Sequence, residues 1–554
     1  MLQRLNTNSA YWLNDDARTF LERGYLAPGQ TAEDRIRVIA DAAERILKID
    51  GFADKLERYI LNGWISLASP IWSNFGLARG LPISCNNSHV PDDTSEILRK
   101  VAEVGMMTKH GAGTSAFLGE LRHRGATING GGESQGPVHF MELFQADINV
   151  ISQSKVRRGN CACYLPVEHP DIMEFLDCRE EHSPIKHLSI GVCITDQWML
   201  DMLNGDEAKQ DIWVRILEHR NDDGYPYIFW TDTVNNAAPD VYKAKGLRIN
   251  GSNLCSEIAL ASTADESFVC DLSSLNLLHY DDWKDTDLPE TLTYLLDAVM
   301  TEYIEKTAGI PFLEDARRFA INQRALGIGT LGWHSYLQSR MIPFEDLEAR
   351  KLNIEIHKLI QEKTLAASRE LARLFGEPPL LKGYGRRNVT LMAIAPTKSS
   401  SFILGQVSAS IEPIDSNYFT ADLAKGKFGY RNPYLQALLA TYGRDNASTW
   451  RSILLAGGSV QGLDFLTDRE RAVFKTFDEI RPDEIITQAA HRQRYIDQAQ
   501  SLNLKIRADM PVSEVHDLMI KAWRMKVKTL YYQKGTNPAQ DLVRDLMSCA
   551  ACEA

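Results

Sequence analysis

Apolar positions near the start of the chain recur every three or four residues, which predicts helices ahead of a larger body. Residues 36–47 carry one such apolar stripe, and Thr31 with Asp34 three positions later has the spacing of a capping box. A second helical pattern covers residues 56–60. We therefore expect residues 1–65 to form an N-terminal helical segment.

The next part of the chain alternates short apolar runs with long helical patterns. Strands are predicted at 189–193, 389–394 and 527–532, and a long helix is predicted from Asp346 to Leu374. This alternation is typical of α/β folds, and neither a Pro- or Gly-rich linker nor an internal repeat divides it. The pattern predicts one large α/β body over residues 66–534, which we expect to hold any catalytic site.

The character of the sequence changes after Gly535. Residues 535–554 mix Gly, Asn, Pro and charges around one short apolar patch, which predicts a flexible C-terminal tail. Cys549 and Cys552 form a CxxC pair on it. Such a pair is compatible with thiol–disulfide exchange or with half of a zinc site, but no nearby His or second pair completes a metal site.

Composition and charge narrow the class of protein. With 44% hydrophobic and 24% charged residues the chain has ordinary globular composition. Its net charge of −12, without a long basic run, argues against nucleic acid or an anionic membrane as the main partner. There is no secretory h-region and no stretch of about 18 apolar residues. Nine cysteines fit a reducing cytosol better than a paired secreted framework, so we expect a cytoplasmic protein.

The segment Asn253-Leu-Cys-Ser-Glu257 is the most informative for chemistry. If it is extended, the spacing of two places the Asn253 amide, the Cys255 thiol and the Glu257 carboxyl on one face, within reach of one small substrate. A loop with an incidental cysteine is the alternative interpretation. Two further thiols, Cys85 and Cys270, could equally be buried and inert.

Several separated motifs together resemble the catalytic subunit of class I ribonucleotide reductases, from about Ser66 to the end of the chain. In chain order they are Pro-Ile-Ser before Cys85, Asn253-Leu-Cys-Ser-Glu257, Cys270 before Asp-Leu-Ser-Ser-Leu-Asn, Tyr531-Tyr532 and the terminal cysteine pair. The resemblance implies a ten-stranded α/β barrel with a central finger loop that carries the radical cysteine. The implied activity is the reduction of ribonucleotides to 2′-deoxyribonucleotides, with ribonucleoside diphosphates as the expected substrates.

The resemblance also implies a role for each residue of the site. Cys255 would carry the thiyl radical, Glu257 would take the 3′-hydroxyl proton, and Asn253 would hold the sugar hydroxyls. Cys85 would protonate the leaving 2′-hydroxyl and end in a disulfide with Cys270. Reduction needs two electrons, which two thiols supply on forming a disulfide, while a third thiol recycles the radical.

Radical supply is implied to come from outside the chain. Tyr531 and Tyr532 match the pair that relays an oxidising equivalent from a ferritin-like, metal-containing small subunit, so no cofactor or metal is expected in this chain. Cys549 and Cys552 would pass electrons from thioredoxin or glutaredoxin. An adenosylcobalamin-dependent reductase is the alternative enzyme, and a nonenzymatic nucleotide-binding protein with structural thiols is the alternative from another class.

The remaining expected sites concern substrate and effector. The substrate positions implied by the resemblance are Ser69, Ser84, Gly125, Pro396, Thr397, Lys398, Ser399 and Ser400. Lys398 departs from the acidic residue that related chains often carry. Asp92 and Arg157 match positions for a specificity effector, and a homodimer is expected. Because the first 65 residues read as helices flanking the barrel, we expect this to be a short form without an N-terminal ATP cone.

Overall fold

A computed structural model describes residues 10–151, 159–423, 426–507 and 509–535 of the 554-residue chain. The strands are β1 Ile65–Leu67, β2 Cys85–His89, β3 Thr114–Phe117, β4 Cys161–Pro166, β5 Ser189–Ile194, β6 Tyr227–Trp230, β7 Phe268–Asn276, β8 Leu326–Leu331, β9 Tyr418–Leu423, β10 Gly426–Arg431, β11 Leu504–Ile506, β12 Thr529–Leu530 and β13 Gln533–Gly535.

The helices surround these strands. They are α1 Asp15–Gly24, α2 Ala32–Leu47, α3 Phe52–Leu61, α4 Ser69–Asn74, α5 Thr94–Lys109, α6 Gly136–Ile151, α7 Ile172–Asp177, α8 Asp196–Leu203, α9 Glu207–Asp222, α10 Thr231–Asn236, α11 Asp240–Lys245, α12 Tyr280–Trp283, α13 Leu288–Lys306, α14 Glu314–Gln323, α15 Trp333–Ser339, α16 Leu347–Phe375, α17 Lys398–Ile403, α18 Pro433–Thr441, α19 Ala447–Leu455, α20 Asp468–Val473, α21 Pro482–Gln493 and α22 Val512–Arg524. Short 3₁₀ turns cover Leu277–His279, Pro379–Leu381 and Phe477–Glu479.

The main sheet is mixed and confirms the predicted α/β class. Its strand order is β1-β7-β2-β3-β4-β5-β6-β12, and β8 pairs with β7 on the other side. Strands β2 to β6 run parallel in sequence order, whereas β7 is antiparallel to β2 and β12 is antiparallel to β6. The buried residues of β4 and β5 form near-continuous apolar runs, as expected for parallel strands covered on both faces.

Two extended segments continue the sheet from β8 round to β12. Ile328 of β8 bridges to Met392, and Ile394 bridges to Gln500. The Tyr531 N–H, immediately after β12, donates to the Leu502 carbonyl at 2.9 Å. The eight strands β2–β8 and β12, with these two segments, make ten members around the curled sheet, which is consistent with the expected ten-stranded barrel.

The local sequence signals place several elements correctly. Helix α2 begins after Thr31, whose side chain forms the predicted capping box with Asp34, and α16 begins after Asp346, whose carboxylate accepts from the Glu348 N–H. The run at 189–193 is β5. The apolar stripe of α2 packs on α3 and α13, so the predicted helices of the N-terminal segment lie against the barrel helices.

Two predicted strands are shorter or less regular than expected. Residues 389–394 contain only isolated bridges, because the Asp497 carboxylate takes the N–H groups of Leu391 and Met392 at 2.7 and 2.8 Å in place of a strand partner. The run predicted at 527–532 is regular only at Thr529–Leu530, so Tyr531 and Tyr532 follow the strand. Within the described ranges, the helices are too short or too polar to cross a membrane.

Candidate active site

The segment around Cys255 is a loop held by side chains from three neighbouring strands. Ser115 of β3 donates to the Ser252 carbonyl at 2.8 Å, and the Tyr164 hydroxyl of β4 donates to the Asn253 carbonyl at 2.7 Å. The Cys193 thiol of β5 contacts the Asn250 carbonyl at 3.1 Å. The barrel strands therefore fix the backbone of the loop that carries the candidate catalytic side chains.

The tip of this loop is a turn, so the extended conformation considered from spacing is wrong. The Ser256 N–H donates to the Asn253 carbonyl at 3.3 Å, and Ser256 has a left-handed φ of 65°. Tyr164 stabilises this uncommon conformation, since its hydroxyl also lies 3.1 Å from the Ser256 Oγ. The turn, rather than strand alternation, directs Cys255 and Glu257 into one pocket.

The opposite side of the loop is held by the segment 498–501. The Ala499 N–H donates to the Glu257 carbonyl at 2.9 Å, and the Gln498 Oε1 accepts from the Ala259 N–H at 3.1 Å. The Ser501 Oγ lies within hydrogen-bond distance of the Cys255 carbonyl and 3.0 Å from the Glu257 Oε2. One hydroxyl thus contacts the backbone of the thiol residue and the carboxyl of its neighbour.

The pocket collects most of the residues predicted for chemistry and substrate binding. Its lining includes Cys85, Cys255, Glu257, Ser69, Ser84, Pro396, Thr397, Lys398, Ser399 and Ser400. Gly125 lies elsewhere, in the loop between β3 and α6, where its N–H donates to the Ser134 carbonyl. The thiols of Cys85 and Cys255, a carboxyl group and a hydroxyl-rich loop therefore share one cavity, whereas Cys270 and Asn253 are not among its lining residues.

Cys85 and Cys270 are directly opposed in the antiparallel register of β2 and β7. Cys270 is buried, and its Sγ accepts from the Gln498 Nε2 at 3.3 Å. Burial raises the pKa of the Cys270 thiol well above its ordinary value, and the neighbouring Cys85 thiol adds to this effect. Cys270 is therefore protonated at neutral pH and can act as a hydrogen donor.

Glu257 has the acidity expected of a group that exchanges a proton near neutral pH. Burial raises the pKa of its carboxyl to about 7, and hydrogen bonds from the backbone, Asn253 and Ser501 oppose part of that effect. The Asn253 Oδ1 accepts from the Ile258 N–H at 3.1 Å, which orients the amide from within the same loop. Glu257 is thus poised between its neutral and charged forms.

The hydroxyl-rich loop is shaped by Thr397. This residue has a left-handed φ of 51°, its carbonyl accepts from the Ser401 N–H at 2.8 Å, and its hydroxyl accepts from the Ser410 N–H at 2.7 Å. The chain then enters α17, so Lys398, Ser399 and Ser400 form its first turn beside the pocket. A short helix start, hydroxyls and an ammonium group suit an anionic ligand.

Tyr531 and Tyr532 are packed against each other, with ring centroids 4.2 Å apart. Two hydrogen bonds connect Tyr531 to the loop that carries Cys255. The Tyr531 N–H donates to the Leu502 carbonyl, and the hydroxyl of the adjacent Ser501 donates to the Cys255 carbonyl. Both tyrosines are nearly inaccessible to solvent. The backbone of Tyr531 therefore lies beside the same segment that holds Cys255.

The other predicted sites are more dispersed. Asp92 accepts from the Arg122 Nε at 2.7 Å on the loop after β2. Arg157, Cys549 and Cys552 lie outside the described residues. Asp177, Glu180 and His219 come close enough to share a cation, but the Arg215 guanidinium bonds both carboxylates, and we assign no metal site there.

Three residues that shape the site were not predicted from the sequence, namely Tyr164, Gln498 and Ser501. The sequence carried a signal for two of them, because Gln498, Gln500, Ser501 and Asn503 are polar residues interspersed with apolar ones over a short span. All four are buried in the structure. Buried amides and hydroxyls require partners, so such a run indicates a structural or functional hydrogen-bond network.

A barrel-like sheet surrounds a loop that carries Cys255, and the thiols of Cys85 and Cys270 oppose each other on two of its strands. This arrangement is typical of a barrel enzyme that uses cysteine thiols in redox chemistry. The sequence profile of a family described as "Ribonucleotide reductase, barrel domain" matches residues 83–209, 204–380 and 379–533. The chain therefore belongs to the ribonucleotide reductase large-subunit family, whose members reduce ribonucleotides.

Individual relatives agree with this membership. The chain is 37% identical over 503 residues to the putative ribonucleoside-diphosphate reductase large subunit of Frog virus 3, covering 87% of each chain. It is 27% identical to the ribonucleoside-diphosphate reductase large chain 2 of Saccharomyces cerevisiae, over 95% of this chain and 69% of that one. The solved structure of the Actinobacillus ureae class Id ribonucleotide reductase alpha subunit matches with a TM-score of 0.92 at 50% identity, over 98% of this chain and all of that one.

Proposed function

We propose that this chain reduces ribonucleoside diphosphates to 2′-deoxyribonucleoside diphosphates through a thiyl radical on Cys255. The observation that carries the proposal is one pocket lined by Cys255, Glu257, Cys85 and the loop 396–400. Names of similar proteins support the diphosphate as substrate, since the viral and fungal relatives are described as ribonucleoside-diphosphate reductases.

Substrate phosphates are proposed to bind the loop 396–400, where hydroxyls, N–H groups and the Lys398 ammonium offer donors to an anion. Ser69 and Ser84 add hydroxyls to the polar lining. Asn253 would hold the sugar hydroxyls from the same loop as Cys255, although it is not among the lining residues. Gly125 remains a proposed contact that lies apart from this lining. Binding in this orientation would present the ribose to Cys255 and Glu257.

The chemical step begins and ends at Cys255. Its thiyl radical takes the 3′ hydrogen atom and becomes a thiol, Glu257 takes the 3′-hydroxyl proton, and Cys85 supplies the proton with which the 2′-hydroxyl leaves as water. Cys85 and Cys270 then give two electrons and one further proton to the sugar as they form a disulfide. Glu257 returns its proton, and Cys255 returns the hydrogen atom to the 3′ carbon, which restores the thiyl radical.

The oxidising equivalent is proposed to come from a separate ferritin-like, metal-containing small subunit through Tyr532 and Tyr531. Contact between the two rings at 4.2 Å supports a relay of neutral phenoxyl radicals. The similarity to a class Id alpha subunit also supports a partner of this kind.

The active-site disulfide must be reduced after each turnover, and the choice of substrate can be regulated by an effector. Cys549 and Cys552 would reduce the Cys85–Cys270 disulfide by exchange and receive electrons from thioredoxin or glutaredoxin. Asp92 and Arg157 would belong to an effector site in a homodimer that tunes substrate preference. The thiols must stay reduced for this cycle, which supports the expected cytoplasmic location.

A single-turnover assay tests the proposal. Prereduced protein is mixed with its small subunit and a ribonucleoside diphosphate, and deoxynucleotide and remaining thiols are counted together. We expect the loss of two thiols for each product formed. Turnover with adenosylcobalamin in place of the small subunit would instead establish the cobalamin-dependent class, and binding without product under either condition would favour a nonenzymatic nucleotide-binding protein.

A further inference from the structure

Tyr532 has a second phenol as its hydrogen-bond partner. The hydroxyl oxygens of Tyr225 and Tyr532 are 3.0 Å apart, and the two rings meet edge to face with centroids 5.2 Å apart. Tyr532 in turn contacts Tyr531 at 4.2 Å. The three rings form a continuous series from Tyr531, whose N–H bonds to the carbonyl of Leu502 next to Ser501, to Tyr225.

Tyr225, Tyr227, Tyr531 and Tyr532 form one tyrosine cluster, and Tyr225 is its most solvent-accessible member. It is half-buried, whereas Tyr532 is 8% exposed, Tyr531 is 2% exposed and Tyr227 is completely buried. Tyr227 packs on both Tyr531 and Tyr532, with centroids at 4.7 and 5.1 Å. An oxidant arriving from outside the chain would therefore meet Tyr225 before Tyr227.

The surroundings of Tyr225 fix its position. Its hydroxyl lies 3.2 Å from the Ser189 Oγ, and its N–H donates to the Asp223 Oδ1 at 3.0 Å. The Arg179 guanidinium lies over its ring at 4.2 Å from the centroid and also donates to Asp223. A phenol with this many contacts is held in one orientation toward Tyr532.

We propose that Tyr225 is a third phenol of the radical relay, placed outside Tyr532. This inference rests on the proposed function, because the oxidant is the radical of the small subunit. A phenoxyl radical on Tyr225 takes the hydroxyl hydrogen of Tyr532, so the O–H bond of Tyr532 breaks as the O–H bond of Tyr225 forms. One electron and one proton move together, and the radical moves inward by one residue.

Arg179 gives this transfer a direction. A cation is attracted to the electron-rich face of a neutral phenol, and this attraction weakens when the ring is oxidised. Arg179 therefore favours the reduced form of Tyr225 over its radical. This contact would therefore bias the equilibrium between the two phenols toward a radical on Tyr532.

The direct test places 3-aminotyrosine at position 225, because this analogue is more easily oxidised than tyrosine and traps the radical. The full-length variant is mixed with the small subunit, substrate and effector, and the trapped radical is observed by electron paramagnetic resonance. A second protein with the analogue at position 532 is the positive control. We expect an aminotyrosyl signal in both proteins.

The possible results separate this inference from the proposed function. A signal at 532 without one at 225 would overturn the role of Tyr225 and leave the proposed relay intact. No signal at either position would overturn both, because the small subunit would then not oxidise this tyrosine pair.

A simpler variant covers the case in which the analogue disturbs folding. Tyr225→Phe keeps the ring and removes the hydroxyl, and we expect turnover driven by the small subunit to fall at least about tenfold, which corresponds to roughly 1.4 kcal/mol in the barrier. Tyr280→Phe is the matched control, since it also removes a phenol hydrogen bond of 3.0 Å, to Glu355. Wild-type turnover in Tyr225→Phe would contradict the proposal.

Discussion

Cys85 and Cys270 face each other as register partners on the antiparallel strands β2 and β7. Opposed residues of such strands have Cα atoms about 4.5–5.5 Å apart, which lies within the range that a disulfide spans. The pair can therefore be oxidised without rearranging the sheet. Cys85 also lines the pocket, so the pair is the proposed source of the two electrons.

The first prediction follows from this register. Either Cys85→Ser or Cys270→Ser should abolish product formation in a single turnover, because one remaining thiol cannot form the disulfide. Mass spectrometry of wild-type protein after one turnover without external reductant should find a peptide crosslinked between residues 85 and 270. Cys161→Ala, which removes a buried thiol of β4, should retain activity. A product yield equal to wild type in either serine variant would exclude the pair as reductant.

The second prediction concerns the acidity of Glu257. Because burial raises the pKa of its carboxyl to about 7 and the base must be charged, kcat/KM should fall as the pH drops through 7. Ser501→Ala removes a hydrogen bond that favours the carboxylate, so the pKa of Glu257 should rise further. As the pH is lowered, activity should therefore begin to fall at a higher pH than in the wild type. Hydrogen bonds to charged groups are worth about 1.5–3 kcal/mol, so the ionisation constant should weaken roughly tenfold or more.

The control for the pH experiment is Ser368→Ala. This substitution also removes a buried hydroxyl, which donates to the Asn388 Oδ1 at 2.8 Å. Ser368 lies on α16 and is not among the residues that line the pocket. This variant should keep the wild-type pH profile. Superimposable profiles for Ser501→Ala and wild type would show that Ser501 does not tune the base.

The third prediction concerns the tyrosine relay. Tyr531→Phe and Tyr532→Phe each remove one hydroxyl and keep the ring packing, so thermal unfolding should change little. Each variant should nevertheless lose turnover driven by the small subunit, because a phenyl ring cannot carry a neutral phenoxyl radical. Tyr303→Phe on α13 is a control for a buried tyrosine outside the cluster. Normal turnover in either relay variant would favour the cobalamin alternative.

The fourth prediction separates chemistry from regeneration. A prereduced double variant with Cys549→Ser and Cys552→Ser should form about one product per active site, because exchange by the tail is needed only after the disulfide has formed. It should lose repeated turnover with a thioredoxin-type reductant and regain it with a small dithiol that enters the pocket. Unchanged cycling with the protein reductant would remove the tail pair from the proposed pathway.

Local signals explain which parts of the fold were predictable. Helices α2 and α16 begin where Thr31 and Asp346 cap them, and these contacts involve residues within a few positions. The segment 389–394 has the apolar pattern of a strand, but Asp497, more than a hundred residues away, takes two of its N–H groups. A sequence pattern contains no information on such a distant competitor.

The same limit applies to the site. The types and spacing of Cys255 and Glu257 made them candidates for chemistry, and the family resemblance supplied their proposed roles. The turn that brings them together depends on Tyr164, about ninety residues earlier in the chain. Ser501 and Tyr225 acquire their significance only from the atoms they contact. A serine or a tyrosine without a known partner is indistinguishable from an ordinary packing residue.

The most direct measurement of the central claim uses Cys255→Ser in the prereduced protein with its small subunit and a saturating ribonucleoside diphosphate. The hydroxyl is small enough to preserve the loop and nucleotide binding, but its O–H bond is too strong for reversible hydrogen abstraction from the ribose. We expect normal substrate binding by equilibrium titration and no deoxynucleotide above background. Deoxynucleotide formation at the wild-type rate would contradict a thiyl radical at Cys255.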